Sequence, residues 1–240
     1  MKTLKEWLES PEVKRIKEIP ISEYCEKEFL RDPFRPIFYR PNILYSPADG
    51  IILYAKEVNP TTDIIDIKGK GLTVRDILCK EDYNERSIVI GIMMTAYDVH
   101  HNRMPTSGII EFVRKDSLRM DNLSMVKVEQ AIFQGKEPST QDMDYIFYNE
   151  RQICKVYCPH IRQEYYIVQI ADLEVDAVSN LYFTGSYLLQ GTKFSTVLFG
   201  SQVDLVVPIK KYNEYRNLVK DKITYHVEAG IDPLIEVILK

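Results

Sequence analysis

Two short β-rich runs, residues 196–199 and 203–207, meet at Gly200-Ser201, and that junction constrains the chain more than any other stretch. Val, Thr, Phe and Leu suit a pleated, half-buried surface, so the segment belongs in a sheet. A glycine inside such a run marks a bulge, a bend or a close backbone approach. The plain reading is a β-bulge with a serine beside it. A sharper reading comes from chemistry. The Ser201 hydroxyl is placed to attack the carbonyl just before it, and glycine offers no side chain to hinder a strained geometry. Such an attack would exchange the amide for an ester. Elimination would then leave position 201 as a pyruvoyl group at a new N-terminus.

The bulk of the chain narrows the setting. Its 240 residues suffice for one substantial core, and 45% hydrophobic with 28% charged residues is ordinary for a globular protein. The net charge of −4, with both signs interspersed, gives no footprint for a nucleic-acid partner. No apolar run is long enough to cross a bilayer, and the opening residues lack the apolar core of a secretory signal. Cys25, Cys79, Cys154 and Cys158 are too few for a disulfide framework, so reduced thiols and a cytoplasmic location are expected.

Along the chain, Leu4, Trp7, Leu8, Val13 and Ile16 follow a partly helical spacing, which Pro11 either interrupts or restarts as a second helix. Such a segment either docks on a membrane surface or partner, or packs on its own domain. Pro47-Ala48-Asp49-Gly50 is a turn, with Pro47 presetting φ and Asp49 able to hold nearby amides. Lys68-Gly69-Lys70-Gly71 lacks the spacing of a phosphate-binding loop. Thr73 caps a short helix over 73–78. Strands are expected at 51–55, 63–67, 87–94, 108–113, 125–133, 151–158, 164–170, 181–183, 225–227 and 234–239. That pattern predicts an α+β fold, mostly antiparallel β with peripheral helices. A helical segment over 1–28 would precede one catalytic domain over 29–240.

Several segments occur together and in order: Phe29-Leu30-Arg31-Asp32-Pro33, Ser46-Pro47-Ala48-Asp49-Gly50, Asp98-Val99-His100-His101-Asn102-Arg103-Met104-Pro105, Asn149-Glu150-Arg151, and Phe199-Gly200-Ser201-Gln202-Val203-Asp204. In this the chain resembles the phosphatidylserine decarboxylase family, its shorter branch in particular, across most of 29–240. The resemblance implies a proenzyme that cuts itself between Gly200 and Ser201, with Ser201 becoming the covalent pyruvoyl cofactor. It also implies Schiff-base chemistry on a substrate amine, loss of carbon dioxide, a homodimer and contact with a membrane surface. Asp49, His100 and Ser201 match motif positions that suit a carboxylate–histidine–serine pattern. His100 is the candidate to return a proton after decarboxylation. Trp7 and Leu8 are candidates for the peripheral membrane contact.

One departure concerns Arg103, which stands where the longer branch has a second histidine; the base for self-cleavage is thereby left unassigned. His101 points away from its neighbour His100 in an extended segment and reads as a surface or packing residue. Gln202 is expected to tune reactivity, and Asp204 has no assigned role. Cys154, Cys158 and His160 could suggest zinc, but three soft ligands without a partner cluster read as buried thiols, and no metal is expected. His226 is expected to pack or bond locally. The substrate would be phosphatidylserine or another amino-acid-headed molecule, a soluble amino acid included. A non-catalytic relative acting as a binding module and a serine hydrolase are the rivals; the latter lacks a Gly-x-Ser-x-Gly elbow.

Overall fold

The computed structural model describes residues 1–173, 176–198, 200–220 and 224–240. A nine-stranded sheet forms its centre, in the order Lys2–Thr3, Tyr225–Val227, Gly50–Val58, Ser87–Met94, Ser201–Pro208, Gln163–Ala171, Arg151–Cys158, Gly108–Lys115, Ser186–Leu188. Every pairing in it is antiparallel. This is the expected α+β, mostly antiparallel architecture.

The two middle strands are covered on both faces, which accounts for the unbroken apolar run of Ile88 to Met94. On Ser87–Met94 and Ser201–Pro208 every residue is buried. Ile88, Ile90, Ile92 and Met94 face one core together with Val203, Leu205 and Val207. Val89, Met93 and Val206 face the other. A sheet covered on both sides reads as a continuous hydrophobic run. Short helices cover one face, contributing Trp7, Val13, Val128, Ile132, Tyr145 and Ile146. Two three-stranded sheets cover the other. One is ordered Val178–Asn180, Lys193–Val197, His101–Arg103, and the second Asn213–Asn217, Pro233–Leu239, Ile43–Tyr45.

Local signals account for the helix boundaries. Thr3 closes a capping box with Glu6 ahead of Leu4–Leu8. Ser10 caps Pro11–Glu18, so Pro11 begins a second helix, where its missing N–H carries no penalty. Thr73 caps Val74–Leu78 as expected.

Three expectations are corrected. Residues 125–133 contain a helix, Val126–Phe133, not a strand. Val128 and Ile132, four apart, turn one face to the core, and this spacing outweighs the strand preference of the β-branched residues. Residues 181–183 are not a strand either. They belong to a turn closed by Gly185 at φ +85°, between Val178–Asn180 and Ser186–Leu188. Trp7 is only 3% exposed, with Leu8 packed against the same core, so the membrane contact assigned to this pair has no exposed indole to use. Of the 196–199 run, Phe199 lies outside the described residues; the strand is Lys193–Val197. Among the described residues no helix is long and apolar enough to cross a membrane.

Candidate active site

Ser201 opens the central strand and is paired on both sides, with Met94 on one neighbour and Ala171 on the other. Its side chain has no solvent exposure, and its hydroxyl donates to Met94 Sδ at 3.0 Å. Thioether sulfur is a weak acceptor, so this bond holds the hydroxyl loosely. Gly200 before it adopts φ +67°, in the left-handed region. A Cβ there would stand 3.0 Å from Asp172 Oδ2, so both backbone and space favour glycine at the junction.

The histidine comes from the loop that follows strand Ser87–Met94. Asp98 folds this loop back on itself: Oδ2 accepts from Thr95 N and Thr95 Oγ1, both at 2.8 Å. Its backbone carbonyl lies 3.0 Å from His100 Nδ1. A carbonyl oxygen can only accept, so Nδ1 carries the proton and Nε2 keeps its lone pair. Nε2 is buried and has no hydrogen-bond partner among the described residues. The Phe29 ring lies against the imidazole, centroids 4.1 Å apart. Burial pushes the His100 pKa down to about 4, partly offset by Asp98. The ring is therefore neutral at pH 7.

Asp49 does not meet His100. Arg35 holds both its carboxylate oxygens at 2.5 Å, and the backbone N–H of Ala229 donates to Oδ1 at 2.7 Å. The ion pair is buried, where a bidentate guanidinium outcompetes an imidazole. The carboxylate–histidine contact in this region is instead Asp98 Oδ1 with His226 Nε2, at 2.6 Å. Trp7 stacks on His226, centroids 4.9 Å apart and planes 12° from parallel. Burial works against the Asp98 charge, but His226 and the two Thr95 hydrogen bonds outweigh it and hold this carboxyl below its ordinary range. His226 thus bonds a residue 128 positions away rather than a local one.

The other candidates sort by side of the sheet. His101 Nδ1 lies 2.9 Å from Thr196 Oγ1, and Arg103 reaches Asp32 and the Gly191 carbonyl, both on the outer side of the small sheet. Gln202 and Asp204 point to the face opposite Ser201. There Asp204 accepts from Tyr54 at 2.6 Å and from Gln202 at 3.0 Å, and Gln202 accepts from Tyr145 at 2.7 Å. Burial raises the Asp204 pKa to about 6. Asn149 donates to the Ala171 carbonyl at 2.8 Å, bracing the strand next to Ser201, while Arg151 is spent on backbone carbonyls. Cys154 and Cys158 are buried beside Gln169 and Thr106.

Glu129, absent from the sequence-based candidates, accepts from Ala96 N at 2.5 Å, and burial raises its pKa to about 7. An acid raised in the folded state lends stability below its unfolded pKa, near 4.3, which is lost as pH rises through about 7. Glu129→Gln is therefore expected to stabilise the protein at pH 8, by on the order of 1 kcal/mol, and to leave it unchanged at pH 4. Urea denaturation at the two pH values measures this; equal effects at both would show that Glu129 does not titrate in this way.

With this geometry in place, comparison with known proteins gives a consistent picture. The family model described as phosphatidylserine decarboxylase matches residues 27–231. The chain is 26% identical over 183 residues to a phosphatidylserine decarboxylase proenzyme of Cupriavidus taiwanensis, covering 76% of this chain and 67% of that protein. It is 27% identical over 184 residues to one of Ehrlichia canis, covering 77% and 66%. The corresponding values for one of Rickettsia rickettsii are 26% over 182 residues, 76% and 64%. The matched region spans about two thirds of the length of these relatives.

Proposed function

Because the chain belongs to the phosphatidylserine decarboxylase family, we propose that it is a proenzyme that cuts itself at Gly200-Ser201 and then decarboxylates the serine head group of phosphatidylserine. Residues 29–240 would form the catalytic unit and 1–28 a helical segment packed on it. The observation that carries this reading is the junction itself. Ser201 is buried directly after a left-handed glycine, and the neutral His100, whose backbone carbonyl accepts from Val197 N four residues before that serine, keeps an unpartnered lone pair.

The processing step balances within the chain and one water. A turn about χ1 frees the Ser201 hydroxyl from Met94. Its oxygen bonds to the Gly200 carbonyl carbon, the C–N bond breaks, and the hydroxyl proton ends on the released amine. Removal of the Cα proton at 201 then expels the Gly200 carboxylate, leaving a dehydroalanine. Hydrolysis of its amine as ammonia leaves a pyruvoyl group. His100 Nε2 is the candidate base: its lowered pKa limits its strength but leaves its lone pair available at pH 7. Asp98 fixes that tautomer. Asp49, held by Arg35, secures the 46–50 turn to the 29–40 segment over the site.

The residues present fit a pyruvoyl group at 201, which supplies an electrophilic carbonyl and an electron sink for an α-amino carboxylate. His100 would return a proton to the substrate carbon; an anionic substrate beside it offsets the desolvation that lowers its pKa. A lipid substrate requires contact with a bilayer. The segment over the site supplies an exposed apolar edge for it, with Phe34 94% exposed and Ile37 and Tyr39 also outward. A cytoplasmic, peripherally bound homodimer belongs to the same proposal.

Intact mass under denaturing conditions, paired with carbon dioxide release from phosphatidylserine vesicles and from free L-serine, tests the reading. Fragments 1–200 and 201–240 with release from the lipid are expected. Release from free serine alone would move the substrate to a soluble amino acid. An uncut 28.0 kDa chain with no release would favour a binding module.

A further inference from the structure

We infer that Asn102 is the residue that holds the substrate's α-carboxylate beside position 201, an assignment resting on the decarboxylase reading above. Strand His101–Arg103 alternates: His101 and Arg103 are half-buried and engage Thr196, Asp32 and Gly191, whereas Asn102 is fully buried. Its cross-strand partner is Ser195, whose hydroxyl accepts from Gln169 Nε2 at 2.5 Å. Gln169 pairs with Val203, which stands two residues, about 6.6 Å, along the central strand from Ser201. Val203 and Met94, the acceptor of the Ser201 hydroxyl, belong to the same core. Asn102 therefore lies between the small and large sheets, on the Ser201 side of the large one. His100 precedes it by two residues in the same extended segment.

Both amide atoms of Asn102, Nδ2 and Oδ1, lack a hydrogen-bond partner among the described residues, as does His100 Nε2. Burying a primary amide without partners is destabilising, so a polar group that it serves is the natural reason for its place in an apolar layer. The two N–H donors suit a carboxylate. That carboxylate is what distinguishes a serine head group from the ethanolamine head group left after decarboxylation.

A neutral donor also suits the reaction better than a cation. Carbon dioxide leaves without the negative charge, so a guanidinium or ammonium paired with the carboxylate would favour the ground state over the transition state. The nearby cations are engaged elsewhere, with Arg103 and Lys193 both paired to Asp32 on the far side of the small sheet.

The test measures capture rather than turnover. The purified protein and its Asn102→Asp and Asn102→Ala variants are incubated with glycerophosphoserine or glycerophosphoethanolamine and cyanoborohydride. Amine fixed on fragment 201–240 is read by mass, with or without loss of carbon dioxide. Both variants are expected to cut themselves. The concentration of glycerophosphoserine for half-capture should rise about tenfold or more, while that of glycerophosphoethanolamine changes less than about twofold. An unchanged ratio between the two amines in both variants would overturn the assignment. So would failure of both variants to cut, which would place Asn102 in processing or folding. Should the unaltered protein neither cut nor capture either amine, the decarboxylase reading itself fails, an outcome distinct from both.

Discussion

Ser201→Ala is expected to yield a single uncut chain of 28.0 kDa that releases no carbon dioxide from phosphatidylserine. Alanine lacks the hydroxyl that must bond to the Gly200 carbonyl, so neither the cut nor the group derived from Ser201 can form. The fold should tolerate the change. Ser201 is paired in the backbone ladder on both sides, and its side chain makes only the weak bond to Met94. A variant of unaltered thermal stability that stays whole and inactive is therefore the expected combination. Activity in that variant would end the proposal, because no other residue can supply the missing atoms.

His100→Ala should be nearly as severe. Loss of a positioned acid–base group typically costs about 10²- to 10⁴-fold in rate, and here the same imidazole is assigned to both processing and turnover. Both the fraction of cut chain after a fixed time and the turnover of whatever matures should therefore fall. The unaltered protein carries a pH signature of this assignment. With the His100 pKa at about 4, its lone pair is present throughout neutral pH, so the rate of self-cleavage should be level from about pH 6 to 8 and fall as pH drops through about 4. An inflection near 6.5, the ordinary imidazole range, would point to another histidine as the base. Normal cutting by His100→Ala would point the same way.

How far the sequence reveals these features depends on the range over which each is determined. Strand Ser87–Met94 was legible to the residue, because burial on the sheet's two faces leaves an apolar run unbroken from Ile88 to Met94; Arg151–Cys158 was legible from its β-branched and aromatic residues, bounded by turn signals. The Val126–Phe133 helix was not: Val126, Val128 and Ile132 favour extended backbone locally, and only the cover they provide for the large sheet selects the helix. Gly200-Ser201 stood out because its chemistry lies within two residues. The Asp98–His226 contact spans 128 positions and joins a loop to a distant strand, so no local signal could pair them. Asp49 was recognised from its turn, but its partner Arg35 lies in an irregular segment whose path depends on the finished core. Trp7 misled for a related reason. An indole on a short amphipathic helix suits a bilayer as well as it suits an imidazole face, and the sequence does not show His226 beside it.

The central position of Ser201–Pro208 bears on how the protein would survive the proposed cut. Residues 201–240 supply an inner strand of the large sheet, the Tyr225–Val227 strand between Lys2–Thr3 and Gly50–Val58, and the Asp232 partner of the amino terminus. Severing one peptide bond leaves all of these in place, so the two pieces should stay associated without any covalent link. Unfolding changes character, however. Before the cut, refolding is a search by one molecule at any dilution; afterwards two molecules must meet, and the advantage of a tethered partner is gone. The melting temperature of the mature form should then depend on protein concentration, and its denaturation should become irreversible on dilution. Maturation would act as a ratchet, reached by folding once and not regained after unfolding.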